Sequence, residues 1–353
     1  MSRLARGIGR GIGSMALALL ASLSIHALEV KEGLCRIVID ESNARFSLYR
    51  LVDVAKDKYE PFFFDQDPRT SHLDLSFEGR QYRLGDSSEF RQAISRIPTG
   101  ASIEFKSAFA RVTQKLEFAR SAGGAIPDGI RMTVTVENVS QKDAMVGIRF
   151  ILDTFLAEKS GVHFRTPTKE KLPGEFVFEG SSFEDWVRTP GDNADFMVVF
   201  QGEGYTKPDR VHFANWKRIN EATWTLDAST ARNFTLLPYS VNDSALSEYW
   251  NARSVGKGSS MSVVIGMGAF NPKGYPPSVA GSDSDTSALF SKTVLSQQGT
   301  GDTRSLISGD LLSVRDLLSR IDLVLSSGTI PGQDEIAAWK KILDLLEERK
   351  KAY

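Results

Sequence analysis

The 353-residue chain is close to neutral, with 43 basic and 44 acidic residues and a formal net charge of −1 at pH 7. This balance excludes the broad basic surface that nucleic-acid binding requires. The single cysteine, Cys35, excludes an internal disulfide, so stability must come from the burial of apolar side chains. The chain is long enough to bury a large core.

The N-terminal segment is typical of a cleavable secretion signal. Arg3, Arg6 and Arg10 precede an almost wholly apolar run from Met15 to Ala27, and no acidic residue interrupts them. The apolar run has about half the ~20 residues that a helix needs to span a bilayer. We therefore expect cleavage near Ala27, and a mature protein that is periplasmic or secreted and has no further transmembrane segment.

Residues 28–270 alternate between apolar and polar side chains in short runs. From Ile130 to Glu137, isoleucine, methionine and two valines occupy every second position, and arginine, threonine and glutamate occupy the others. Turn-forming residues, such as Gly123-Gly124 and Pro190-Gly191, fall between the runs. The pattern predicts a mainly β domain of antiparallel strands.

The composition changes after Phe270. Residues 271–304 are rich in proline, glycine and serine, and predict a flexible linker. Residues 305–353 then carry apolar residues at intervals of three and four on two segments, which Gly328 to Gly332 separate. Two helices joined by a short loop predict an antiparallel α-helical hairpin at the C-terminus.

Two segments resemble secreted bacterial β-sandwich proteins of largely unassigned role. They are the run from Val136 to Thr154, which contains Val146-Gly147-Ile148-Arg149-Phe150-Ile151-Leu152-Asp153-Thr154, and the run from Asn242 to Asn251. The resemblance covers residues 33–270 and implies an antiparallel β-supersandwich similar in architecture to galactose mutarotases and to accessory domains of glycoside hydrolases. The loop from Glu158 to His163 departs from the family pattern, which has an acidic residue and a glycine there, so it does not support a ligand or ion role.

The leader and the helical tail also resemble periplasmic proteins of spirochaete-like bacteria. Accessory proteins around the periplasmic flagellar motor are among them. This resemblance implies a location and a kind of partner, and it assigns no role to any residue.

Catalysis of the mutarotase type needs a carboxylate base and a histidine acid on opposite sides of a sugar ring. After the leader, the candidate acids are His72, His163 and His212, and no carboxylate has a spacing that pairs it with one of them. The histidines form no zinc-binding pattern, so neither a metal nor another cofactor is expected. A glycosidase needs two carboxylates that flank the scissile bond. Several acidic residues between Glu175 and Asp185 are close in sequence, but closeness in sequence does not establish that geometry. The carboxylates considered for these two roles are Glu158, Glu175, Glu179, Glu184, Asp185 and Asp209.

A few residues remain as candidates for ligand binding without catalysis. Asp153 follows a strongly apolar strand, where it can accept hydrogen bonds from turn amides, pair with Arg149 or bind a ligand. Trp186 offers a flat face to a sugar, although tryptophan is more often part of the core of a β-sandwich. The candidate ligand-binding residues are Asp153, His163, Trp186 and His212.

The sequence favours a non-catalytic periplasmic scaffold or binding protein that engages an envelope protein, with flagellar-motor components as candidate partners. The alternative is a carbohydrate-binding or carbohydrate-active, mutarotase-like protein with a glycan as ligand. The hairpin is the predicted docking element, because each leucine buried there would contribute roughly 1.5–3 kcal/mol. The predicted contact residues are Val314, Leu318, Ile321, Leu325, Trp339 and Ile342.

Overall fold

The computed structural model describes residues 27–124, 126–277 and 331–351, together with part of the segment 307–324. The expected leader and most of the expected linker lie outside the described residues, so the domain boundaries stay predictions. Within the described part of the chain, no helix is long and apolar enough to cross a membrane.

Antiparallel strands form the body of the protein, as the alternating pattern predicts. The strands are β1 (Ala27–Glu32), β2 (Cys35–Asp40), β3 (Arg45–Asp53), β4 (Lys58–Pro61), β5 (His72–Phe77), β6 (Arg80–Arg83), β7 (Arg91–Ile97), β8 (Gly100–Lys106), β9 (Ala110–Ala119), β10 (Gly129–Asn138), β11 (Ala144–Thr154), β12 (Phe176–Glu179), β13 (Trp186–Thr189), β14 (Phe196–Val199), β15 (Arg210–Asn215), β16 (Ser244–Val255) and β17 (Ser260–Ala269). The helices with defined bounds are α1 (Trp216–Glu221) and α2 (Gln333–Lys350).

The described strands belong to three sheets. A four-stranded sheet has the order β1-β2-β3-β4, a seven-stranded sheet the order β13-β14-β17-β10-β9-β8-β7, and a six-stranded sheet the order β12-β15-β16-β11-β5-β6. The two larger sheets enclose one apolar core, in which Ile130, Met132, Val134 and Val136 of β10 are fully buried at every second position. The expected mainly β, antiparallel supersandwich is confirmed.

The C-terminal helices pack against each other. Leu317 is buried against Ile342 of α2, and Asp310 lies 3.3 Å from Arg349 in an ion pair. Asp310 precedes Leu317 in the first segment, whereas its partner Arg349 follows Ile342 in α2. The two segments therefore run antiparallel, as expected of a hairpin. Arg315 joins this hairpin to the four-stranded sheet, where it donates hydrogen bonds to Tyr59 Oη at 2.8 Å and to the carbonyl oxygen of Gly33.

The predicted contact residues of the hairpin divide into two groups. Ile321, Trp339 and Ile342 pack inside the hairpin, whereas the side chain of Leu318 is 55% exposed. Val314 is half-buried. Leu325 lies outside the described residues. Half of the predicted set therefore holds the hairpin together instead of facing outward.

Candidate functional site

The outer face of the six-stranded sheet is polar where its inner face is apolar. Side chains alternate along a strand, so Ile148, Phe150 and Leu152 of β11 enter the core while Arg149 and Ile151 point the other way. Several polar side chains are buried on this outer face, and we place the candidate site among them.

The strand register arranges these side chains in two rows. The first row crosses β5, β11, β16 and β15 through Asp74, Arg149, Tyr249 and Arg210, and the second row, two residues away on each strand, crosses them through His72, Ile151, Ser247 and His212. His72 and His212 are three strand intervals apart, about 14 Å between Cα atoms. The seven polar residues of the two rows are called the polar face: His72, Asp74, Arg149, Arg210, His212, Ser247 and Tyr249.

One half of the polar face is an ionic cluster. Arg149 donates to Asp74 Oδ2 from Nη2 at 2.5 Å and from Nε at 2.8 Å, and Arg83 Nε lies 3.7 Å from Asp74 Oδ1. His72 Nε2 lies 3.5 Å from Asp74 Oδ2. Burial alone would raise the pKa of Asp74, but the adjacent His72 and Arg149 hold it below its usual value. Asp74 is therefore a stabilised carboxylate.

The other half has no such pairing. Arg210 and His212 on β15 lie beside Tyr249 and Ser247 on β16, and these four residues are called the open block. Both ring nitrogens of His212, the hydroxyl of Ser247 and the hydroxyl of Tyr249 are buried without a hydrogen-bond partner among the described residues. The rings of His212 and Tyr249 are 5.0 Å apart. Burial and the charge of Arg210 lower the pKa of His212 to about 4, so its imidazole is neutral at pH 7.

A short segment covers the polar face. This cover, residues 216–226, begins with α1, whose N-cap Asn215 accepts a hydrogen bond from Lys217 N at 3.1 Å. Ile219 packs on Ile151 and on alanines of β15 and β16. Arg149 Nη1 donates to the carbonyl oxygens of Ala222 and Trp224, at 2.9 Å each. Trp216 and Leu226 of the cover pack against the same apolar cluster. The cover is thus held by apolar contacts and by hydrogen bonds, among them those from the arginine that pairs with Asp74.

A separate group of carboxylates lies at the end of β11 and the start of β16. Ligand oxygens of Asp153, Glu158 and Asp243 lie within 4.8 Å of one another, and this is the one such group that could hold a metal ion within the described residues. Burial raises the pKa of Asp153 to about 8 and that of Glu158 to about 7. Oxygen ligands of this kind suit Ca²⁺.

A fourth acid points into the core. Glu248 lies between Leu246 and Trp250 on the inner side of β16, is fully buried, and has no hydrogen-bond partner for either side-chain oxygen among the described residues. Its cross-strand neighbours are Phe150 and Val211. Burial raises the pKa of Glu248 well above its usual value, because the apolar core disfavours the charged form of the carboxyl.

The four residues predicted for ligand binding do not meet in one place. His212 belongs to the polar face, and Asp153 to the carboxylate group. The ring of His163 lies 4.5 Å from that of Phe234, and burial lowers its pKa to about 4. Trp186 is in the seven-stranded sheet, 4.9 Å from the ring of Phe270. The expected pairing of Asp153 with Arg149 is wrong, because Asp74 stands directly opposite Arg149 on the adjacent strand and takes its guanidinium.

Two of the carboxylates considered for catalysis are hydrogen-bonded within the protein away from the polar face. Glu175 accepts from Arg218 and from Ser229 N, and Glu184 accepts from Thr166 and Thr168. Asp74 was not among them. Its signal was present in the run from His72 to Phe77, where alternation places His72, Asp74 and Ser76 on one face of a strand.

No family model matches the chain, and no curated protein is similar to it in sequence. Solved structures with a similar fold include a galactose mutarotase related enzyme from Lactobacillus acidophilus, at 10% identity over 71% of this chain and 100% of that one, with a TM-score of 0.40. A galactose mutarotase-like protein from Lactobacillus casei has 10% identity over 69% of this chain and 100% of that one, with a TM-score of 0.40. A 4-alpha-glucanotransferase from Thermococcus litoralis has 11% identity over 69% of this chain and 37% of that one, with a TM-score of 0.36.

These likenesses concern the fold alone. The chain is a mainly β protein of antiparallel sheets with C-terminal helices.

Proposed function

We propose that the protein is a carbohydrate-binding protein that holds its ligand on the polar face. One observation carries the proposal: His212, Ser247 and Tyr249 are buried side by side, and their side-chain polar atoms have no hydrogen-bond partner among the described residues. Buried polar atoms are nearly always hydrogen-bonded, so a ligand with several donors and acceptors fits this place. A sugar is such a ligand, because each hydroxyl both donates and accepts.

Aromatic rings at the site support a sugar over other polar ligands. The Trp224 ring, which belongs to the cover, meets the ring of Tyr249 edge to face at 6.1 Å. Ligand sites usually combine such flat apolar walls with a few polar groups that fix orientation. When the cover moves, both rings offer faces to the C–H side of a pyranose.

The geometry favours binding over catalysis. Proton abstraction from a sugar hydroxyl needs a carboxylate whose pKa is close to the working pH. Asp74 is the one carboxylate of the polar face, and Arg149 and His72 keep its pKa low, so it is a weak base. The proposed role is therefore recognition of a glycan without turnover.

The ligand needs the cover to open. Two arginines of the sheet bind the backbone of the cover. Arg149 donates to the carbonyl oxygens named above, and Arg83 Nη2 donates to the carbonyl oxygen of Asn220 at 3.2 Å. Ligand hydroxyls can replace those carbonyls as acceptors for the two guanidinium groups. Opening therefore exchanges hydrogen bonds and exposes the apolar contacts of Trp216, Ile219 and Leu226.

Titration calorimetry after a glycan-array screen tests the proposal. We expect the wild type to bind a glycan, and His212→Ala and Tyr249→Phe each to weaken binding about tenfold or more, because each removes a buried hydrogen bond to the ligand. Ser262→Ala is the control, since that residue lies on β17 in the other sheet. Polarimetry should show no acceleration of mutarotation. Unchanged affinity in both site variants, or no bound glycan, would contradict the proposal.

A second candidate function is the docking of an envelope protein by the hairpin. Leu311 and Leu318 are 46% and 55% exposed, and Ile336 and Leu343 of α2 are 48% and 47% exposed. Within each pair the residues are seven positions apart, so each helix keeps an exposed apolar strip beside the face that closes the hairpin. The leader predicted from the sequence supports a periplasmic location, and flagellar-motor components remain candidate partners.

Affinity capture from envelope extracts tests this second candidate. We expect Leu318→Ser with Leu343→Ser to lose the captured protein, because both side chains are exposed and contribute little to the fold. Lys340→Ser with Lys341→Ser is the matched control on α2. A partner retained by the leucine variant would rule out this surface.

A further inference from the structure

The open block contains one charge that nothing else on its face balances. The side chain of Arg210 makes no ion pair and no hydrogen bond with the described residues, and it contacts the Tyr249 ring, 6.0 Å from the guanidinium. On the same face the charge of Arg149 is matched by Asp74, and Arg83 also lies near Asp74. Arg210 is thus the unmatched cation of the polar face.

The acids nearest in sequence and register leave Arg210 free. The Asp209 carboxylate pairs with Arg253 at 3.1 Å and accepts a hydrogen bond from the backbone N–H of Asn251 at 2.7 Å. Glu179 is the cross-strand neighbour of Arg210 on β12, but it is exposed and forms no ion pair with it. A half-buried guanidinium beside buried neutral groups attracts an anion more strongly than one in open solvent.

The other three residues of the open block offer polar groups of the kind that hydrogen-bond to hydroxyls. His212 is neutral at pH 7, Ser247 and Tyr249 each carry a hydroxyl, and all three side chains are buried. The open block therefore places the half-buried cation of Arg210 beside three buried side chains that can donate or accept hydrogen bonds. A ligand that matches it has one anionic group at one end and hydroxyls along the rest.

We infer that the ligand is an acidic sugar whose carboxylate pairs with Arg210 while its ring hydroxyls bind His212, Ser247 and Tyr249. This inference rests on the proposed function. The planar fork of a guanidinium matches a carboxylate with two parallel hydrogen bonds. A sugar phosphate fits less well, because it carries about −1.5 to −2 at pH 7 and the open block supplies a single positive charge.

Calorimetry with matched sugars tests the inference on the full-length processed protein. Galacturonate and glucuronate are compared with galactose and glucose, with the two hexose 6-phosphates, and with acetate. We expect a uronate to bind about tenfold to a hundredfold more tightly than its neutral counterpart, as a charge-assisted hydrogen bond provides. Acetate alone should not bind, because it lacks the hydroxyls.

Arginine variants locate the preference. Arg210→Gln should bring the uronate down to the affinity that the neutral sugar has for the same variant, and Arg210→Lys should keep part of the preference. Arg253→Gln, on β16 and paired with Asp209, is the control and should behave as wild type. The Arg210 side chain has only its contact with the Tyr249 ring to lose among the described residues, so we expect its replacement to leave the fold intact, which a thermal melt checks.

Several results would overturn the inference. Equal binding of uronate and neutral sugar, a preference for phosphate, or acetate binding as tight as uronate binding would each do so while leaving carbohydrate binding in place. A uronate preference that survives in Arg210→Gln would also overturn it. If no sugar of any kind binds, both the inference and the proposed function fail.

Discussion

Glu248 stands directly opposite Phe150 in the paired strands β16 and β11, so a carboxyl group points into the apolar interior of the sandwich. The adjacent residues Ser247 and Tyr249 point to the polar face instead. One strand therefore supplies groups to the candidate site on one side and an isolated acid to the core on the other.

The isolated acid predicts that stability falls as the pH rises. In the unfolded chain Glu248 ionises above about pH 4.5, whereas burial raises its pKa in the folded protein, so its contribution to stability is complete at low pH and is lost as the pH rises towards the folded pKa. We expect Glu248→Leu to raise the free energy of unfolding, and to raise it more at pH 7 than at pH 5.

Urea unfolding of Glu248→Leu at pH 5 and pH 7 measures this effect. Glu203→Gln is the control, because that side chain is exposed. A gain in the leucine variant that is the same at both pH values would show that the carboxyl is not the cause.

The group of carboxylates at the end of β11 predicts a second decrease of stability with rising pH. Asp153 has its pKa raised to about 8 by burial and by the acids near it, so its stabilising effect is complete below about pH 4 and disappears as the pH rises through 8. Asp153→Asn should flatten the stability curve between pH 5 and pH 8. Urea midpoints at pH 5, 6, 7 and 8 test this, and a curve as steep as that of the wild type would contradict it.

The ion pair between Arg149 and Asp74 predicts a large single-mutant cost. Arg149→Met leaves Asp74 buried without its main partner and releases the cover, which we expect to cost about 3–5 kcal/mol of unfolding free energy. Asp74→Leu in the same chain should recover most of this loss. Arg253→Met, which breaks an exposed pair with Asp209, should cost less than about 1 kcal/mol. A double variant no more stable than Arg149→Met would argue against the pairing as the cause.

The cover predicts a selective change in the titration of one histidine. Both His212 and His163 have pKa values lowered to about 4 by burial, and of these two only His212 lies on the polar face. Ile219→Ala loosens the cover, so water reaches His212 and its pKa should rise towards 6.5. Imidazole resonances followed by NMR between pH 3 and pH 8 give both values. A rise shared by His163 would indicate general loosening instead.

Much of the fold follows from local pattern. The alternation along β10 predicts which side chains are buried, and the two segments that carry the resemblance turn out to be β11 and β16, which pair with each other over most of their length. The helical hairpin follows from its apolar spacing in the same way. These features depend on neighbours in sequence, so a period of two or of about 3.6 residues is enough to predict them.

The site does not follow from local pattern, because the register between distant strands builds it. His212 was among the predicted residues, but Arg210, Ser247 and Tyr249 become its neighbours through the pairing of β15 with β16. Asp74 displaces Asp153 as the partner of Arg149 for the same reason. Local pattern also fails to predict that Glu248 points into the core, because a glutamate between Leu246 and Trp250 interrupts the apolar pattern of that face.

Arg315 has one further consequence, for the order of events during synthesis. Its hydrogen bond to Gly33 joins residues 282 positions apart, so nearly the whole polypeptide must leave the ribosome before this contact can form. The contact between the four-stranded sheet and the hairpin therefore forms late, and a nascent chain that lacks its tail leaves the Gly33 carbonyl and the Tyr59 hydroxyl without Arg315.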